Sequence, residues 1–311
     1  MIMIIINHCP WEADERLKYL FPFYITMAVP GLMFISGYLN AQSFKRNNIK
    51  CFSDCYQRSF IFPRLMRLII PFTIIFLAEI TIHILFSSKK IYEYLLMYLS
   101  GGWGDGTYYF PVMIQFVFIF PFIFFPIKNK GINGVLIFFG ATLFYELLQR
   151  AFQMNVECYT NIFFRYTFLT ACGCYCGLYS GVEKTWNLLC VLMIAIGFAF
   201  VILFNYTGYQ TVIFQNYWKN TTVLPTLFVI PFVAFIIRKA NWRFTPLELI
   251  GKASYHVFLI QKVFFYGMKS GFASLMVENR GLQIIMSVVI CLTVGIAFYF
   301  AETFVRKRIK E

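Results

Sequence analysis

The sequence predicts an all-α fold, a polytopic transmembrane helix bundle, and three observations carry that prediction. Hydrophobic residues make up 59% of the 311 positions and charged residues 13%, with 39 Phe and 20 Tyr. Soluble chains carry nearer a quarter charged residues, and a water-soluble interior of this size could not hide so much apolar surface. The apolar residues fall in long uninterrupted runs. The basic residues cluster on alternate connections between those runs.

A spanning helix needs about 20 mostly apolar residues, because the hydrocarbon layer is about 30 Å thick and each residue rises about 1.5 Å. Such runs lie at about 21–40, 61–86, 108–127, 132–149, 161–180, 186–205, 222–238, 247–268 and 283–303, which read as nine full spans. Pro30, Pro71, Pro111, Pro121 and Pro231 sit within them, read as kinks that a packed bundle tolerates. A β-barrel would show shorter, alternating segments instead. Met1–Asn7 is an apolar stub too short to cross a bilayer. It reads as the outer end of a truncated first helix that began before Met1, or else as a short interfacial segment. It has no basic leader and is too short for a signal peptide.

Charge sets the orientation. Lys45, Arg46, Lys50 and Arg58 follow the first full span, with Arg64 and Arg67 at the start of the next. Lys and Arg collect on the cytoplasmic side. Alternation then places Lys128, Lys130, Lys184, Arg238, Lys239, Arg243, Lys252 and the 304–311 tail inside as well, so the C-terminus is cytoplasmic. The net charge of +13 follows from this topology and from contact with anionic lipid. No concentrated basic domain suggests a nucleic-acid partner.

The connections are short, so residues 1–311 read as a single integral membrane domain. The stretch Ser100–Gly106 reads as a flexible outer turn. Residues 206–221 interleave Tyr206, Tyr209, Tyr217 and Trp218 with Gln210, Lys219 and Asn220, a pattern that suits sugar rings or an interfacial aromatic belt. Of nine cysteines, Cys172, Cys174 and Cys176 lie within one span and read as small buried hydrophobes, since no histidine accompanies them to make a metal site. No phosphate-binding glycine loop, nucleophile elbow or HExxH motif is present.

Polar residues in or beside the membrane are costly and are functional candidates by default. His8 stands near Glu12, Asp14 and Glu15, and a histidine beside a carboxylate can act as a general base. It can equally be an inert interfacial residue. Glu79 and Gln115 are mid-span and need partners across helices. His83 reads as wetted near the outer end of its span, and His256 as a packed or structurally bonded side chain. Arg64 and Arg67 share a helix face and suit either a phosphorylated donor or lipid head groups.

Five segments, in order, resemble the acyltransferase-3 family of membrane proteins. Val29–Leu39 (VPGLMFISGYL) is similar to its "FF-x-x-SG-x-L" segment, and Pro63–Phe72 (PRLMRLIIPF) to "KR-x-x-R-I-x-P-Y". Tyr108–Phe116 is similar to "WY-L-x-x-L-x-x-Y", with Phe120-Pro121 closing the helix. Arg165-Tyr166 with Cys172-Gly173 and Gly177 resembles "R-x-x-x-F-x-x-G-x-x-x-G". Gly251–Gln261 resembles "LG-x-x-SY-x-x-YL-x-H", with Gln261 where many members have His. The resemblance runs along residues 1–311. It implies transfer of an acyl group, by family default acetyl from acetyl-CoA, to a hydroxyl of an extracytoplasmic glycan, with no bound cofactor, in a bacterial cytoplasmic membrane. It also implies His8 as the base or acyl relay, although the arginine the family pairs with that histidine would fall before Met1. Arg64 and Arg67 are then candidates for the donor's phosphates. Ser36, Gly37, Glu79, Gln115, Arg165, Ser254 and Tyr255 are candidates for the walls of the channel. A flippase for a lipid-linked sugar would show internal symmetry and broken helices, and no symmetry is visible. A non-catalytic relative is the third reading.

Overall fold

The computed structural model describes residues 1–86, 91–179, 184–207, 221–239, 245–270 and 279–310. Tyr209, Gln210, Tyr217, Trp218, Lys219, Asn220 and Arg243 lie outside these residues. All regular structure among the described residues is helical: α1 Ile2–His8, α2 Ala13–Lys18, α3 Ala28–Arg46, α4 Phe52–Tyr56, α5 Arg58–Phe86, α6 Ile91–Ser100, α7 Tyr109–Lys130, α8 Ile132–Ala151, α9 Val156–Asn161, α10 Thr167–Leu178, α11 Lys184–Tyr206, α12 Val223–Thr226, α13 Val229–Lys239, α14 Thr245–Lys252, α15 Ser254–Ser270 and α16 Arg280–Lys310. Short 3-10 turns occupy Phe21–Phe23 and Phe163–Tyr166.

Among the described residues, six helical segments are long and apolar enough to cross a membrane: Phe21–Arg46, Arg58–Ile84, Tyr109–Lys130, Ile132–Ala151, Asn187–Tyr206 and Arg280–Arg308. They present large apolar side chains outward, such as Leu188 and Val191 on α11 and Ile285 and Val289 on α16. Such rows need hydrocarbon around them. The chain is a multi-pass membrane protein. The other three apolar runs are helical too, but composite. The 161–180 run is a 3-10 turn followed by the twelve-residue α10, of which every residue from Thr167 to Gly177 is buried. That helix is solvated by protein rather than lipid. The 222–238 run is divided into α12 and α13, and the 247–268 run into α14 and α15.

The prolines divide into two groups. Pro30, Pro111 and Pro231 each occupy the third position of a helix, where the missing N–H has no intrahelical acceptor to lose. They start helices rather than kink them. Pro63 and Pro71 in α5, and Pro121 and Pro126 in α7, are interior and free carbonyls that other groups must satisfy.

The described chain forms two compact units, each assembled from distant segments. The first holds Met1–Pro10, Pro63–Ile114 and Trp242–Glu311. Here α15 packs along α16, with Gly295 against Val257, and α1 rests on α16. The second holds Trp11–Phe62 and Gln115–Asn241. Its axis is the crossing of α3 and α10, where a Cβ on Gly37 would run into the Thr170 carbonyl and one on Gly173 into the Phe34 carbonyl. The two glycines bring the backbones together, the packing that small residues permit in membrane bundles. Phe44 then fills against Phe120 and Phe124 of α7 at about 5 Å between ring centroids.

Candidate functional site

Within the first unit, His8 is the last residue of α1. Pro10 disfavours helical backbone at the residue before it, and Cys9 is extended with φ −64° and ψ 157°. The helix therefore stops at His8 and leaves its imidazole at the rim, 18% exposed. The ring lies 5.8 Å from that of Phe265 on α15. Its Nδ1 is 3.3 Å from Oδ2 of Asp105, and Lys269 Nζ approaches the same oxygen at 2.5 Å. The hydrogen bond from His8 holds the Asp105 carboxyl well below the usual carboxylate range. Lys269 acts in the same direction against the opposing effect of burial.

Asp105 belongs to the glycine-rich loop that the sequence suggests is a flexible turn. In the structure it is pinned. Gly101, Gly102, Gly104 and Gly106 all have positive φ, between 84° and 96°. These are left-handed backbone positions that favour glycine. Between them, the Trp103 N–H donates to Oε2 of Glu79 at 3.2 Å, and the Trp103 ring lies flat against Phe76 and His83. His83 itself is buried, with Nδ1 2.9 Å from the Tyr266 hydroxyl.

Glu79 has the partner its position demands. Lys262 Nζ donates to Oε1 at 2.6 Å, both side chains being almost wholly excluded from solvent, and the ammonium also lies 5.5 Å from the Phe72 ring. Gly102 packs directly onto this pair, where a Cβ would collide with both Glu79 Oε2 and Lys262 Nζ. One loop thus seals a buried ion pair with its second glycine and delivers a carboxylate to His8 three residues later.

A proton on His8 Nδ1 has Asp105 as its acceptor, which leaves the Nε2 lone pair able to take up a proton. A carboxylate that orients an imidazole is the arrangement by which a histidine serves as general base.

The other sequence candidates are distributed as follows. In the first unit, Arg67 is exposed and Arg64 half-buried at the start of α5. Ser254 opens α15, and the Tyr255 hydroxyl donates to the Leu68 carbonyl at 3.0 Å. In the second unit, Gln115 bridges the turn after α9, donating to the Asn161 carbonyl at 2.6 Å and accepting from the Phe163 N–H at 3.0 Å. Arg165 is buried, its Nη2 2.5 Å from Thr221 Oγ1 and its guanidinium 4.8 Å from the Tyr159 and Tyr166 rings. Glu146, also buried, accepts from the Val223 N–H at 2.7 Å. Ser36 is half-buried beside Gly37 and contributes its carbonyl to Asn40 at 3.0 Å.

Sequence reasoning passed over Asp105, Lys262 and Lys269. Lys262 carried the same signal that singled out Glu79, an ionisable group deep in an apolar run. Asp105 lay among glycines, with nothing in its spacing to link it to a histidine some hundred residues earlier.

The family model described as an acyltransferase domain (Acyl_transf_3) matches residues 1–302. Comparison with curated proteins and with solved structures gives no match.

Proposed function

Because the chain belongs to the acyltransferase-3 family and seats a half-buried histidine on a carboxylate, we propose that it moves an acetyl group from cytoplasmic acetyl-CoA to a hydroxyl of an extracytoplasmic glycan, with His8 as the base. His8 Nε2 takes the proton of the acceptor hydroxyl as its oxygen attacks the thioester carbonyl. The ester C–O bond forms, the C–S bond breaks, and the departing thiolate takes the proton from His8. Asp105 orients the ring and stabilises the imidazolium formed on the way. Arg64 and Arg67 bind the donor's phosphates, as guanidinium forks do. The protein lies in a bacterial cytoplasmic membrane with its C-terminus inside, and its partners are the bilayer, acyl-CoA and a cell-surface or lipid-linked saccharide.

The observation that carries this reading is the His8–Asp105 contact at 3.3 Å. It is tested in membranes bearing the protein, supplied with acetyl-CoA labelled in the acetyl group, by counting label in surface polysaccharide. His8→Ala should reduce incorporation to background. Label that persists unchanged rules out the role given to His8.

A further inference from the structure

Near the start of α15, whose later residues Phe265 and Lys269 lie by His8 and Asp105, a second histidine–carboxylate contact has no part in the chemistry above. His256 Nε2 lies 2.5 Å from Oε2 of Glu302, and both side chains are buried. The other oxygen of Glu302 holds Arg306, one turn further along α16, through its Nε at 2.5 Å. Arg306 Nη2 in turn donates to the Met66 carbonyl of α5 at 2.8 Å. The Tyr255 hydroxyl, from the residue before His256, donates to the Leu68 carbonyl at 3.0 Å.

The two accepted carbonyls flank Arg67, and the reason lies in the sequence of α5. Pro71 has no N–H, so the Arg67 carbonyl four residues earlier loses its helical donor, and the ring crowds the turn around it. The helix runs on through Pro71, but with one bond missing it bends more easily there unless its backbone is held. Here it is held from two sides, by α15 through Tyr255 and by α16 through Arg306. Glu302 fixes the guanidinium in a charge-assisted contact. His256 fixes Glu302: a proton on Nε2 has that carboxylate as acceptor, whereas one on Nδ1 would have no partner among the described residues. The stretch so immobilised bears Arg64 and Arg67.

We propose that His256, Glu302, Arg306 and Tyr255 are positioning residues that hold the turn of α5 before Pro71, so that Arg64 and Arg67 meet a phosphorylated acyl donor at a fixed spacing. This rests on the reading that those two arginines bind the donor. The side chains of the relay touch the backbone of α5, not the donor. Their effect is on donor affinity rather than on the proton transfer at His8.

The test measures binding of coenzyme A itself to the purified full chain in lipid nanodiscs by titration calorimetry, alongside the thermal midpoint of each variant. Arg64→Ala/Arg67→Ala reports on the donor reading alone. Arg306→Met and Glu302→Gln report on the relay, and Tyr255→Phe is a milder probe that removes one oxygen. Thr142→Ala, a buried change in the second unit, serves as a control for lost stability. The relay predicts coenzyme A affinity about tenfold weaker in Arg306→Met and Glu302→Gln. A smaller loss is expected in Tyr255→Phe, and none in Thr142→Ala at an equal or greater fall in thermal midpoint. Unchanged affinity in Arg306→Met and Tyr255→Phe, with the double arginine variant weakened, overturns the relay and leaves the donor reading standing. Unchanged affinity in the double arginine variant overturns the donor reading and the relay with it. If Arg306→Met does not fold, the Tyr255→Phe result decides.

Discussion

At the residue scale, the proposed chemistry turns on what one carboxylate does for one imidazole. Asp105→Asn keeps the shape of the side chain but offers His8 an amide in place of an anion. Acetyl transfer should then fall by about 10²- to 10⁴-fold, with little change in the half-saturating donor concentration, as initial rates at several acetyl-CoA concentrations would show. Asp105 also reports on pH. Its carboxyl is held below the usual range in the folded protein by His8 and Lys269, so the unfolded chain takes up the proton first as pH falls. The stabilisation is complete above the unfolded value of about 4 and is lost as pH drops through the folded value. Thermal midpoints recorded from pH 7 to pH 3 should therefore fall more steeply for the wild type than for Asp105→Asn. Parallel curves would mean that the contact contributes nothing to stability.

At the scale of the element, two helices meet through a buried charge pair and a loop that closes over it. Removing only one partner strands the other. Lys262→Met should cost about 3–5 kcal/mol, and the double variant Glu79→Gln/Lys262→Met should recover much of that loss, because a buried pair is far less costly to replace than to break. Unfolding in a denaturing detergent series reads both. The loop above the pair makes a sharper demand on its glycine. Gly102→Ala meets a left-handed φ of 86° and collides with Glu79 and Lys262, whereas Gly140→Ala on α8 enters open space in a helix. The first should destabilise by at least about 1–3 kcal/mol and loosen the seat of His8. The second should be neutral or stabilising by up to about 1 kcal/mol. Equal melting of the two variants would remove the structural role assigned to the loop. The helix Ile91–Ser100 beside this loop went unseen in the sequence for a plain reason. It is too short to span, with Leu95, Leu96 and Leu99 exposed along one side, so a search for long runs reads it as a connection.

At the scale of the whole molecule, orientation is open to direct measurement because two native cysteines are exposed. Cys51 lies in the basic segment between α3 and α5, and Cys158 on α9 after α8. The charge bias places the first inside and the second outside. A membrane-impermeant maleimide applied to intact cells should label Cys158 and spare Cys51 until the cells are lysed. The reverse pattern would invert the topology and with it the side proposed for the chemistry at His8.

The all-α membrane fold was legible from composition and run length because lipid leaves a backbone few choices. An apolar stretch of about 20 residues with every N–H needing a partner must be helical. His8, Glu79, Arg64 and Arg67 stood out as candidates for the same reason, since a polar group at the membrane is conspicuous in one dimension. Three things were settled only by the tertiary structure. Burial by protein lets α10 be far shorter than a bilayer crossing. First-turn placement makes Pro30, Pro111 and Pro231 helix starts rather than kinks. Asp105 is the carboxylate that reaches His8, while Glu12, Asp14 and Glu15, its neighbours in sequence, fall in the other unit. Pairing between polar groups depends on which helix ends meet in space, and hydropathy along a chain holds no record of that. The glycines around Asp105 marked a turn, but only the fold shows that Trp103 and Gly102 tie that turn to Glu79 and Lys262.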